Sequence, residues 1–177
     1  MGEQYPSAEI IATDISVFQL GDLPSNVTLE IDDIEDEWTF PQNSFDFIHL
    51  RDMSGSISDW KSVYREAFKC LVPGGQIEIS DFGDTSTSNS SNLFQTIYSS
   101  EIQSASEVAG TPLGVKHLER NIFEDIGYVE IRNVMIRVPL GMWPSDANRK
   151  TVGKLMLIGT LEGLEAKSLR LLTKCKG

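Results

Sequence analysis

The sequence predicts an α/β domain, a layered fold with a mainly parallel sheet. Three features carry that prediction. Short apolar runs recur at residues 8–15, 27–31 and 45–50, and the second is followed at once by a cluster of acids. Residues 45–82 read as an apolar segment, a polar loop, an amphipathic segment, Pro-Gly-Gly and a second apolar segment, which is the pattern of a strand–helix–strand crossover. Downstream, helical periods alternate with one further strand-like stretch, so the predicted order is β, β, β, α, β, α, α, β, α, with no internal repeat.

The first run, AEIIATDI, closes on Asp14. A buried parallel strand with an acid at its carboxyl end lies on the edge where open α/β sheets bind ligands, and an acid there can accept hydrogen bonds from ribose hydroxyls. A helix cap or a loop acid is the competing reading. Residues 18–24 are expected to form a loop. The 27–31 run leads into Asp32, Asp33, Ile34, Glu35, Asp36 and Glu37, which fits a ligand edge or an acidic surface turn. Phe45, Phe47, Ile48 and Leu50 are too closely spaced for a half-exposed strand and suit one covered on both faces.

From Asp59 the period changes. Asp59 can cap a helix whose apolar positions Trp60, Val63, Tyr64, Ala67, Phe68 and Leu71 recur at three and four, with Pro73, Gly74 and Gly75 as its stop. Residues 76–82 form the next strand. A polar, Ser-rich loop is expected at 84–91, then a helix over 93–108 with Leu93, Ile97, Ile102 and Ala105 as a thin apolar stripe. A helix over 115–126 carries Val115, Leu118, Ile122, Phe123 and Ile126 on one face, and Gly127 closes it. Residues 128–140 alternate as Val129, Ile131, Val134, Ile136 and Val138, which predicts a long strand. Ser145 can cap a last helix whose Val152, Leu155, Met156, Leu161, Leu164, Leu169 and Leu172 face a core.

A chain of 177 residues suffices for one core, and 40% apolar with 23% charged residues describes an ordinary globule, so a single domain is expected. No window nears the ~18 apolar residues that would span a bilayer. The first residues, MGEQYPSAEIIATD, lack a basic lead and an apolar core, so no secretory signal is visible; Pro6 stands where a myristoylation signal needs Ser or Thr. Cys70 and Cys175 form no metal-type spacing and suit a reducing compartment, so no metal is expected. The net charge of −11 is uneven: residues 1–60 carry thirteen carboxylates and one arginine, net −12, and the remainder is net +1. An acidic half repels phosphate backbones, which argues against direct nucleic-acid binding.

The succession AEIIATDIS, VTLEIDDIEDEWTFPQNSFDFIHLRDMSGSISDW, REAFKCLVPGGQIEISDF and VPLGMWP resembles the class I S-adenosylmethionine-dependent methyltransferases, most closely the fungal branch of regulators and tailoring enzymes of secondary metabolism. The resemblance covers nearly the whole chain and implies a Rossmann-like sheet with helices on both faces. It implies that Asp14 accepts from the cofactor's ribose hydroxyls, that Asp33 accepts from the adenine amino group with the backbone at Ile34 against the ring, and that Leu50 and Arg51 line the floor beside the methionyl part. S-adenosyl-L-methionine is the implied cofactor, and a small natural product or a protein nucleophile the implied acceptor. No general base is named by it; His49 is the nearest candidate, and its place in a strand favours a structural role.

The sequence departs from the family pattern in two places. The Gly-rich loop and first strand that should precede AEIIATD are absent, since only MGEQYPS stands there, and the final antiparallel strand is absent after Gly177. The expectation is therefore an incomplete sheet and one partial methyltransferase domain over 1–177. Three readings follow: a methyltransferase, a non-catalytic interaction module whose open sheet edges are covered by a homodimer or a partner chain, and, ranked below them, a dinucleotide-dependent oxidoreductase. The expected location is cytoplasmic or nuclear.

Overall fold

The structure, a computed structural model, describes residues 1–16, 22–83 and 93–175. It divides into two compact units, 1–50 with 59–79 and 51–58 with 80–177. The expected loop at 84–91 and most of that at 18–24 lie outside the described residues, as do the side chains of Leu93, Ile97, Leu164, Leu169 and Leu172.

In the first unit, β1 (Ile10–Asp14) and β2 (Val27–Ile31) pair in parallel, in a register that sets Ile10 opposite Val27 and Asp14 opposite Ile31. The side-chain amide of Asn26 fixes the entry to β2 by donating to the carbonyls of Gly2, Tyr5 and Ala8. A separate two-stranded sheet joins β3 (Phe45–Arg51) to β4 (Leu71–Ser80) through α1 (Trp60–Cys70). The Ser44 N–H donates to the Cys70 carbonyl at one end and the Asp52 N–H to the Ser80 carbonyl at the other, so β3 and β4 run the same way. The predicted crossover is thus present. The strands form two pairs, β1–β2 and β3–β4.

Helix α1 forms where its period predicts. Asp59 caps it, its carboxylate accepting from the Ser62 N–H at 3.0 Å, and the face bearing Trp60, Val63, Tyr64, Ala67 and Cys70 is buried. Cys70 takes the inward place expected of Phe68, which is exposed. The helix turns extended at Leu71, so β4 begins there and the Pro-Gly-Gly lies inside the strand, earlier than the predicted start at 76. Ile48 and Leu50 of β3 are buried while Phe47 and His49 are exposed. The strand is therefore covered on one face among the described residues, against the expected two.

In the second unit, α2 (Leu93–Val108) packs against α4 (Ala147–Cys175), and Ile102 and Ala105 of the predicted stripe are buried. The predicted 115–126 helix is interrupted. Glu119 is extended, which separates a single 3-10 turn at Lys116–Leu118 from α3 (Arg120–Ile126). Gly127 does close α3, in the left-handed conformation that glycine adopts without a Cβ penalty. Asp146, not Ser145, caps α4 by accepting from the Arg149 N–H.

Two expectations fail in this unit. Residues 128–140 form no strand: Val129 is 82% exposed, Val134 79% and Ile136 78%, and Glu130 has a φ of 54° that interrupts an extended run. Alternation produces a strand only where another backbone accepts the ladder, and no described residue supplies one here. Val152, Leu155 and Leu161 of α4 are likewise exposed rather than core-facing. The helix instead turns Gly153 inward, whose carbonyl accepts from the Gly141 N–H so closely that a Cβ would collide with Gly141.

Candidate functional site

The parallel register of β1 and β2 brings two of the expected residues to one edge. Asp14 ends β1 directly opposite Ile31, and the chain leaving β2 there enters Asp32 and Asp33. The Asp14 carboxylate accepts from the Ser16 N–H and the Ser16 hydroxyl, both at 2.9 Å and both on Oδ1. The acids after β2 fold on themselves. Asp32 accepts from the Asp33 N–H, Asp33 from the Glu35 N–H, and the Ile34 carbonyl from the Trp38 indole N–H, each at 3.0 Å. Glu35 reaches across to accept from the Asp59 N–H at 2.9 Å, so the acidic loop is tied to the start of α1. In Asp14 and Asp33 alike, these bonds fall on Oδ1, and Oδ2 takes none among the described residues.

Leu50 lies buried near the end of β3 in the other sheet of the same unit, while Arg51 is exposed and belongs to the second unit. His49 stands on the exposed face of β3, 3.3 Å from Glu78 of β4, with its ring stacked on Phe47 at 6.2 Å between centroids. The His49–Glu78 contact is a cross-strand pair of the kind that holds a sheet pair in register, and the Phe47–His49 stack lies along β3 itself. Cys70 is buried against the Phe40 carbonyl, and that burial, with the Glu66 carboxylate nearby, pushes its thiol pKa up. A raised thiol pKa disfavours the thiolate, so Cys70 is not an activated nucleophile. Among the described residues no group of three or more His, Cys, Asp or Glu could hold a metal ion.

The second unit contains a polar cluster that the residue pattern did not single out. Asp81, just past β4, has a side chain with no exposed surface; its Oδ1 accepts from the Ser54 and Phe82 N–H groups, and its Oδ2 lies 3.2 Å from Nε2 of the buried His117. The Ser54 hydroxyl both donates to the Gly114 carbonyl at 3.1 Å and accepts from the Gly114 N–H at 2.8 Å. From α2, the Ser106 hydroxyl accepts from the Leu113 N–H, and the Gln103 amide donates to the Leu113 carbonyl. The segment 113–117 is therefore held at both backbone groups of two successive residues. One signal was present in the sequence: Asp81 closes QIEISD just as Asp14 closes IIATD. His117, Ser54 and Ser106 carried none, because only the tertiary fold brings residues so far apart in sequence into contact.

Comparison with known proteins bears on both units. Residues 1–155 match the family model described as "Methyltransferase domain". The chain is 31% identical over 183 residues to "Methyltransferase pytC" of Aspergillus terreus, covering all of this chain and 56% of that protein. It is 29% identical over 181 residues to "Secondary metabolism regulator LAE1" of Cochliobolus heterostrophus, covering 98% and 59%. It is 29% identical over 179 residues to "Probable methyltransferase tdiE" of Emericella nidulans, covering 99% and 56%. The chain thus spans little more than half the length of these curated relatives. The family model covers both the acid-edged strands of the first unit and the polar cluster of the second, and the chain belongs to the methyltransferase domain family.

Proposed function

We propose that the chain is the core of an S-adenosylmethionine-dependent methyltransferase, with the carboxyl edge of β1 and β2 as the cofactor's nucleoside site. The observation that carries this reading is the parallel register that sets Asp14 beside the loop of Asp32, Asp33 and Ile34. A nucleoside offers two ribose hydroxyls and an exocyclic amine, all donors, and the edge offers carboxylates, all acceptors. In both Asp14 and Asp33 one oxygen is committed to the loop and orients the group, which leaves Oδ2 to accept from a ligand. The residues fit the group. Asp14 would hold the ribose, Asp33 the adenine amine, and the Ile34 backbone the ring, with Leu50 of the same unit beside the methionyl part.

The bound cofactor supplies a methyl made electrophilic by its sulfonium. The chain's task is to hold donor and acceptor in line, which alone can contribute on the order of 7–11 kcal/mol to lowering a barrier. The acceptor is a small natural product or a protein nucleophile. Titration calorimetry tests this: S-adenosylmethionine should bind the chain, and Asp14→Ala should weaken it at least tenfold. No binding by the chain, nor by a longer protein that contains it, overturns the reading.

A second reading, a non-catalytic module, draws support from the division of the strands into two pairs, since an isolated strand pair is marginal and invites a partner. It expects a homodimer or a partner chain over the strand edges. A monomer by light scattering that binds S-adenosylmethionine counts against it.

A further inference from the structure

The segment 113–117 is zipped, residue by residue, onto the loops that leave β3 and β4. Leu113 lies on Gly55, where a Cβ would come within 2.6 Å of its side chain. Gly114 is held by both backbone groups on Ser54. Val115 lies on Gly83, where a Cβ would come within 2.9 Å, and His117 meets Asp81. Lys116, between them, is exposed. A Cβ at residue 55 or 83 would crowd the Leu113 or Val115 side chain. Beside it opens a cleft of about 270 Å³ lined by Gly83, Gln103, Leu113, Gly114, Val115 and Lys116.

The lining specifies a chemistry. Two glycine backbones make flat walls, Leu113 and Val115 are apolar, and the Gln103 amide is spent on the Leu113 carbonyl and Glu107. Among the described lining residues Lys116 is the one that carries a charge, and no carboxylate is among those six. A volume near the lower end of ligand pockets suits a molecule of about two fused rings. We propose that this cleft is a binding site for a small, flat, apolar molecule that carries an anionic oxygen facing Lys116. The cleft and its ligand chemistry stand on the geometry of the second unit alone.

The probe is 2-naphthoate, with uncharged 2-naphthamide as its control, titrated into the isotope-labelled 177-residue chain and followed by amide chemical shifts. Naphthoate should perturb Gly83, Gln103, Gly114, Val115 and Lys116. Val115→Trp, which fills the cleft, should weaken it at least tenfold. Lys116→Gln, at an exposed position that tolerates change, should weaken naphthoate three- to tenfold and leave naphthamide within twofold. Shifts centred instead on the exposed apolar residues 129–143, or a Lys116→Gln variant that binds both probes as the parent does, overturn the proposal. Calorimetry with S-adenosylmethionine on the same samples separates the two claims. Cofactor binding without naphthoate binding sinks the cleft alone, and naphthoate binding with no cofactor binding, by this chain or by a longer protein that contains it, sinks the methyltransferase reading alone.

Discussion

Residues 76–80 and 128–140 carry the same period-two alternation, yet the first lies in β4 and the second is not a strand. Ile77 and Ile79 alternate with exposed Gln76, Glu78 and Ser80 in a strand paired with β3, whereas Val129, Val134, Met135 and Ile136 are all more than 70% exposed. What separates them is not propensity, since the two stretches have nearly the same share of β-branched residues. It is the neighbour. β4 is delivered to β3 by a helix that buries its own face, and residues 128–140 are delivered to no described strand. A pleated pattern is thus a request for a partner, and the crossover that supplies the partner is the element that decides.

That contrast can be broken in order of size. Tyr64 is fully buried on α1, so Tyr64→Ala should destabilise the first unit by about 3–5 kcal/mol, read from urea unfolding by circular dichroism. Asp59→Ala removes the helix cap and should cost about 1 kcal/mol by the same measurement. Ile136→Thr, in the exposed stretch, should change stability by less than about 0.5 kcal/mol. An Ile136→Thr cost comparable to that of Tyr64→Ala would show residues 128–140 to be packed in solution and would dissolve the comparison.

Local rules were legible in the sequence wherever one residue type acts on its own neighbours. The Asp59 cap, the buried face of α1, the Gly127 stop and the acid that ends β1 all came through, because each depends on contacts within a few positions. Asp14 could be named because an acid that closes a strand is a local pattern, whereas Asp33 and Ile34 were implied by the family resemblance; the β1–β2 register sets Asp14 beside the loop that holds them. Long-range facts were not legible. The exposure of Leu155 depends on which face of α4 meets α2, and the pairing of Asp81 with His117 depends on a loop brought back from beyond α2. Helical period alone could not reveal the break at Glu119, which sits inside an otherwise continuous apolar spacing.

The pair of hydrogen bonds between Ser54 and Gly114 also has a kinetic side. It closes a loop of 60 residues, whereas the Ser44 to Cys70 bond that opens the β3–β4 pair closes one of 26. Doubling a flexible loop adds only about 0.6 kcal/mol of closure entropy, but contacts so far apart in sequence form late because that entropy comes before any contact rewards it. The crossover of the first unit is therefore expected to assemble early and the 113–117 clasp last. The cleft beside the clasp then forms only once residues 113–117 have docked on the loops that carry Ser54 and Asp81.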